Sequence, residues 1–175
     1  DASLHRTDFF APSSWAQENA EDADLGSMTP VRVGADVFMA GKSDTGYLLD
    51  ASHFGGIGGA LMQATVCPAY GAPAVTDMTV YVPCLGGLQQ VTVTAGGIHL
   101  GWRVPLQAAG SPVTGGGAVW VLDSRTGDLY AVDPSSGHIL HQAQVGPVPH
   151  FATPTLSGNR AFVGTLGGVT ALTWG

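Results

Sequence analysis

The 175-residue sequence predicts an all-β chain built from four repeated antiparallel sheets, and three observations carry that prediction. First, one pattern recurs in segments 29–50, 72–92, 111–133 and 153–173. Each segment opens with a small residue and a proline. A short apolar strand, a turn, a strand rich in Val, Ala, Phe and Tyr, a further turn and an alternating strand follow. The prolines Pro30, Pro73, Pro112 and Pro154 stand 43, 39 and 42 residues apart. Each opens a strand, where proline costs no ladder hydrogen bond. Second, the composition is 45% hydrophobic and only 11% charged, with 26 Gly and 11 Pro. That is the reverse of a disordered chain, and it suits short strands joined by tight turns. The glycines follow no Gly-X-Y period, which excludes collagen. Third, AVWVLD and LYAVD alternate with period two, the mark of half-buried strands.

Taken in order, the first element is the stretch ASLHRTDFF, expected as a lone strand. Residues 11–27 then interrupt the pattern. Ser14 and Gln17 have capping-box spacing, WAQENA suits a short helix, and Leu25-Gly26 ends it. This insert reads as a solvated surface helix or as a docking element. Residues 1–24 hold six acids and one base, which accounts for −5 of the net charge of −7.

The repeats follow at about 29–67, 68–107, 108–147 and 148–175. In the third, SPVTGG, AVWVLD, LYAVD and HILHQAQV are the successive strands, separated by SRTGD and PSSG turns. A period near 40 residues with four antiparallel strands is one blade of a β-propeller. The fourth repeat stops after its third strand, so the N-terminal strand or a partner is expected to complete it. The count fits a closed four-bladed ring or half of an eight-bladed ring. The half-ring is favoured, completed by a second copy, as a dimer, or by the upstream half of a longer parent.

Lys42 is the sole lysine and the five arginines are scattered, so no basic patch points to nucleic acid. No apolar run approaches the ~18 residues of a membrane span. No signal peptide is visible, as in a mature or trimmed chain. Cys67 and Cys84 match no zinc spacing and leave two readings, a disulfide or two buried thiols. Strand a of the second repeat descends between them and strand b returns, which brings both to one end of the sheets. A disulfide is therefore expected, and with it an oxidising compartment.

The third repeat carries a finer resemblance. Val119-Trp120-Val121, Gly127-Asp128-Leu129-Tyr130-Ala131-Val132-Asp133 and Gly137 through His141 resemble the repeat of the PQQ-like propeller family. His141 stands where that repeat has tryptophan, whereas the second repeat keeps Trp102. The resemblance covers residues 29–175, and the lead-in before GKSDTGYLLD looks like the later half of bacterial quinoprotein-like chains. It implies an extracytoplasmic binding or scaffold module with no complete catalytic site of its own. The alternative is the C-terminal half of a PQQ-dependent dehydrogenase that oxidises alcohols. In those enzymes a Lys-Asn-Gly stretch beside the quinone precedes Y-V-L-D. Lys42 and Ser43, before Tyr47-Leu48-Leu49-Asp50, take that place and become candidate contacts for PQQ, which would come with calcium. Asp44 stands where the family has glycine.

Other candidates read as structural. Asp123, Asp128 and Asp133 fall at turns and are expected to cap them. His138 and His141 point to opposite faces of a strand and cannot chelate one metal together. His53, His99 and His150 lie in separate repeats. The GGIGG run at 55–59 lacks a phosphate-loop register and reads as a linker.

Overall fold

A computed structural model describes residues 3–175; Asp1 and Ala2, at the head of the expected N-terminal strand, lie outside the described residues. The elements begin with β1 (Phe10–Ala11), α1 (Trp15–Ala20) and a 3-10 turn at Leu25–Ser27. The first sheet contains β2 (Val31–Val33), β3 (Asp36–Ala40), β4 (Thr45–Asp50) and β6 (Met62–Thr65), with β5 (Gly56–Ile57) in the connection before its last strand. The second sheet is β7 (Ala74–Thr76), β8 (Thr79–Cys84), β9 (Gly87–Thr94) and β10 (Gly97–Pro105). The third is β11 (Val113–Gly115), β12 (Ala118–Asp123), β13 (Asp128–Val132) and β14 (Ile139–Gln144). The fourth is β15 (Thr155–Ser157), β16 (Arg160–Thr165) and β17 (Gly168–Thr173). Within each of these four sheets all pairings are antiparallel.

The packing follows from one rule in the second strand of each sheet. An aromatic residue faces the following sheet, and its two sequence neighbours face the preceding one. The aromatics are Phe38, Tyr81 and Trp120, only 0, 2 and 5% exposed. Phe38 shares a core with Val80 and Val82, Tyr81 with Val119 and Val121, and Trp120 with Ala161 and Val163. Alternation along a strand makes this possible, because successive side chains serve opposite faces. The result is an arc of blades with one core per interface. The described residues form no closed ring.

The N-terminal segment does not complete the fourth sheet, contrary to the sequence expectation. Residues 3–9 form no strand, and β1 pairs in parallel with β5, Phe10 opposite Gly56 and Ala11 opposite Ile57. The supposed linker at 55–59 is therefore a pairing element. Its effect is to lay residues 8–28 over the face of the first sheet that no earlier blade covers. Phe10 meets Tyr47 at 5.2 Å between ring centroids, and Leu25 and Phe54 pack on the same core. Tyr47 and Leu49 are consequently buried. Gly41 permits the close approach: a Cβ there would lie 2.6 Å from the Asp24 carbonyl oxygen. Ser14 also departs from the capping box, since its hydroxyl donates to Glu18 at 2.6 Å and makes no bond to the helix backbone.

The expected disulfide is present. Cys67 and Cys84 are bonded with Cα atoms 5.8 Å apart, where the chain enters and leaves the first hairpin of the second sheet.

Candidate docking surface of the fourth sheet

The fourth sheet obeys the same strand rule with nothing in front of it. Phe162 on β16 is the counterpart of Phe38, Tyr81 and Trp120, by its pairing with Thr155 as theirs with Val31, Ala74 and Val113. Ala161 and Val163 turn back into the core with the third sheet, so Phe162 turns forward. It lies opposite Ala171, and Val169, 75% exposed, lies opposite Gly164. Thr155 and Thr173 flank them. This face is small-grained and mostly apolar, with the exposed Arg160 opposite Thr173 at its margin, and among the described residues no further sheet packs on it.

Beside it runs a groove of about 310 Å³ lined by Trp120, Leu129, His141, Ala143, Leu172 and Trp174. Trp174 packs on Trp120 with ring centroids 4.5 Å apart. The groove has a cause in the sequence. At the preceding interface Trp102 fills the corresponding space: it stacks on Tyr81 at 5.7 Å and its indole N–H donates to the Pro134 carbonyl at 3.1 Å. Gly137, at φ +74°, leaves room for that indole. Histidine at 141 is smaller and leaves the space open. The substitution was legible; the cavity it creates was not.

Lys42 and Ser43 sit at the other end of the arc. The Lys42 ammonium lies 2.6 Å from the Asp24 carboxylate and 3.2 Å from that of Asp22, and donates a further hydrogen bond to the Asp22 carbonyl at 3.0 Å. The hydrogen bond to Asp24 holds its pKa above the ordinary lysine value, with Asp22 adding to it. The Ser43 hydroxyl is buried. These residues do not fit an anionic quinone such as PQQ, because its carboxylates would meet Asp22 and Asp24 at the ammonium that has to bind them. What Lys42 does is fasten the acidic segment to the first sheet, and no sequence signal marked those partners.

Of the three turn acids, Asp123 and Asp133 behave as caps, Asp123 with longer reach than expected. Asp133 accepts from Ser135 and Ser136, and the Ser135 hydroxyl above all holds its pKa down to about 2. Asp123 is 2% exposed and accepts from the amides of Gln107, Ala108 and Arg125 at 2.7, 3.1 and 3.0 Å. It clamps the incoming connection as well as its own turn. Among the described residues no group of three or more His, Cys, Asp or Glu side chains is placed to hold a metal. Among the described residues no helix is long and apolar enough to cross a membrane.

No family model and no curated protein matches this sequence. Solved structures do. BamB from Moraxella catarrhalis superposes with a TM-score of 0.65 at 17% identity, over 85% of this chain and 43% of BamB. The computationally designed Ika4 protein gives 0.63 at 15% identity, over 85% of this chain and 91% of Ika4. The Cps50 (Swd1) β-propeller domain of Myceliophteria thermophila gives 0.59 at 13% identity, over 79% and 48%. The chain thus spans less than half the length of BamB. At these identities the likeness is one of fold, and the fold is the β-propeller.

Proposed function

We propose that the chain is an extracytoplasmic propeller module of PQQ-like type that works by binding and scaffolding, with no complete catalytic site of its own. The observation that carries this reading is the forward face of the fourth sheet. It repeats the pattern of three faces that are each buried by a neighbouring blade, and it is bare. Burial of such a face is favourable by roughly 25 cal/mol per Å² of apolar surface. The disulfide supports an oxidising compartment. The structural likeness to BamB supports the propeller fold on which this reading rests.

The piece that completes the arc is a second copy or the upstream half of a longer parent. Light scattering on the purified chain tests the first form. The expected result is a dimer that Phe162→Asp converts to monomer. A wild-type monomer removes the second copy. The quinoprotein reading has its own test, titration with PQQ and calcium followed by absorbance. The carboxylates around Lys42 predict no binding, and saturable binding lost in Lys42→Met would restore that reading.

A further inference from the structure

We propose that the cleft formed within residues 11–27 is a recognition site for an arginine side chain of a partner polypeptide. This goes beyond the assembly reading above and concerns the other end of the arc. The walls of the cleft come from one continuous stretch of chain, so it is present whatever completes the arc.

The cleft has a volume of about 460 Å³, and Pro12, Trp15, Glu18, Asn19, Asp24 and Leu25 are among its lining residues. Both ends of the stretch are clamped. The Ala11 carbonyl accepts from the Gly58 amide at 2.7 Å, and the Ser27 carbonyl from the Gly71 amide at 2.8 Å. The Ser27 hydroxyl donates to the Ala69 carbonyl at 2.8 Å, and Leu25 packs on the first-sheet core. A ligand therefore meets a preformed cradle and loses little to ordering it.

Trp15 is the first sign of a ligand. The chain has four tryptophans, and the fold uses three. Trp102 stacks on Tyr81 and bonds to Pro134, Trp120 bonds to Gly115, and Trp174 packs on Trp120. Trp15 is 49% exposed. Among the described residues its ring stacks on no other ring and its indole N–H has no acceptor. A tryptophan held this way in a cleft is a usual anchor for a partner.

Glu18 is the second sign. Trp15, Glu18 and Asn19 stand at i, i+3 and i+4 on α1 and so share one face. The Glu18 side chain is half-buried, and among the described residues its carboxylate has one partner, the neutral Ser14 hydroxyl. Residues 11–27 contain four acids and no lysine or arginine, and the nearby Lys42 is taken up by Asp22 and Asp24. Glu18 is thus a carboxylate without a counter-ion beside an open aromatic face. A guanidinium suits both at once, because its plane stacks on an indole while its parallel N–H groups reach a carboxylate. The apolar part of the lining takes the aliphatic stem. The surplus negative charge around the cleft favours a basic polypeptide segment as the source.

The probe is the capped tripeptide acetyl-Gly-Arg-Gly-amide, titrated into the full chain while the indole N–H resonances are followed by NMR. Trp15→Phe identifies the Trp15 resonance by its loss. The expected result is a saturable shift of that resonance at millimolar peptide, with the other three indoles unmoved. Glu18→Gln keeps a partner for the Ser14 hydroxyl and weakens binding about fivefold, whereas Glu21→Gln, outside the lining, changes it by less than about twofold. Exchanging arginine for the neutral citrulline weakens binding about fivefold or more. Choline, a free organic cation, binds more weakly than the arginine peptide. Absence of a saturable shift, equal binding of the citrulline and arginine peptides, equal losses in Glu18→Gln and Glu21→Gln, or tighter binding of choline each overturns the proposal. The Phe162→Asp dimer test reads the opposite end of the arc, so either reading can fail without the other.

Discussion

Asp123 shows how much one side chain can do at a blade boundary. Its carboxylate is nearly sealed from solvent and satisfies three amides, two of them some fifteen residues upstream. Asp123→Ala leaves those donors buried and unpaired. The expected cost is about 2–4 kcal/mol, read as a lower urea midpoint at unchanged slope. Asp133 makes similar bonds at the surface, so its signature is in pH. Its folded pKa of about 2 lies below the ordinary 3.8, so its contribution is fully present above pH 3.8 and is lost as pH falls toward 2. In acid titrations Asp133→Asn should therefore lose less stability than wild type over that window. Lys42 belongs to the same scale. Lys42→Met is expected to loosen residues 8–28, seen as faster cleavage at the exposed Glu21 by a glutamyl-specific protease. Moderate salt should mimic the substitution in wild type, because the ion pairs are open to solvent.

At the scale of elements, the repeats were legible because the recurring prolines and Gly-Asp turns are local signals, although AVWVLD, expected half-buried, is buried on both faces between neighbouring blades. The register of AVWVLD against DLYAV follows from them, with Asp123 opposite Asp128. The disulfide was legible for the same reason, since a strand pair fixes which end each cysteine reaches. Its reduction, or Cys67→Ala with Cys84→Ala, is expected to cost about 2–4 kcal/mol by freeing the unfolded chain, measured by urea unfolding with and without reductant. The β1–β5 pairing was not legible. It is two residues long, parallel, and made partly by glycine, so it carries neither alternation nor a turn signal. The expected N-terminal strand failed because Phe10 gains more from Tyr47 and the first-sheet core than a distant edge offers it. The reach of Asp123 stayed hidden because an aspartate capping its own turn looks the same in sequence as one that also holds a distant segment.

The whole molecule is an arc of blades whose ends differ. At one end residues 8–28 lie over Tyr47 and Leu49, with Asp22 and Asp24 outermost and Lys42 as the fastening. At the other, the exposed Val169 and Ala171 and the half-buried Phe162 lie on the forward face of the last sheet. Composition hinted at this division, since most of the net charge lies in the first 24 residues and the apolar strands elsewhere. The faces themselves needed the structure, because a strand of alternating residues does not say which neighbour is missing.

The acidic overlay has a consequence for assembly. A repeat array with two matching sticky ends can add units without limit and grow into a fibre. Here one terminus of the array is sealed and carries like charges, so two sealed termini repel each other. If units of this kind stack, the covered end offers a second unit no matching face, so the short N-terminal segment would act as a terminator of stacking at that end.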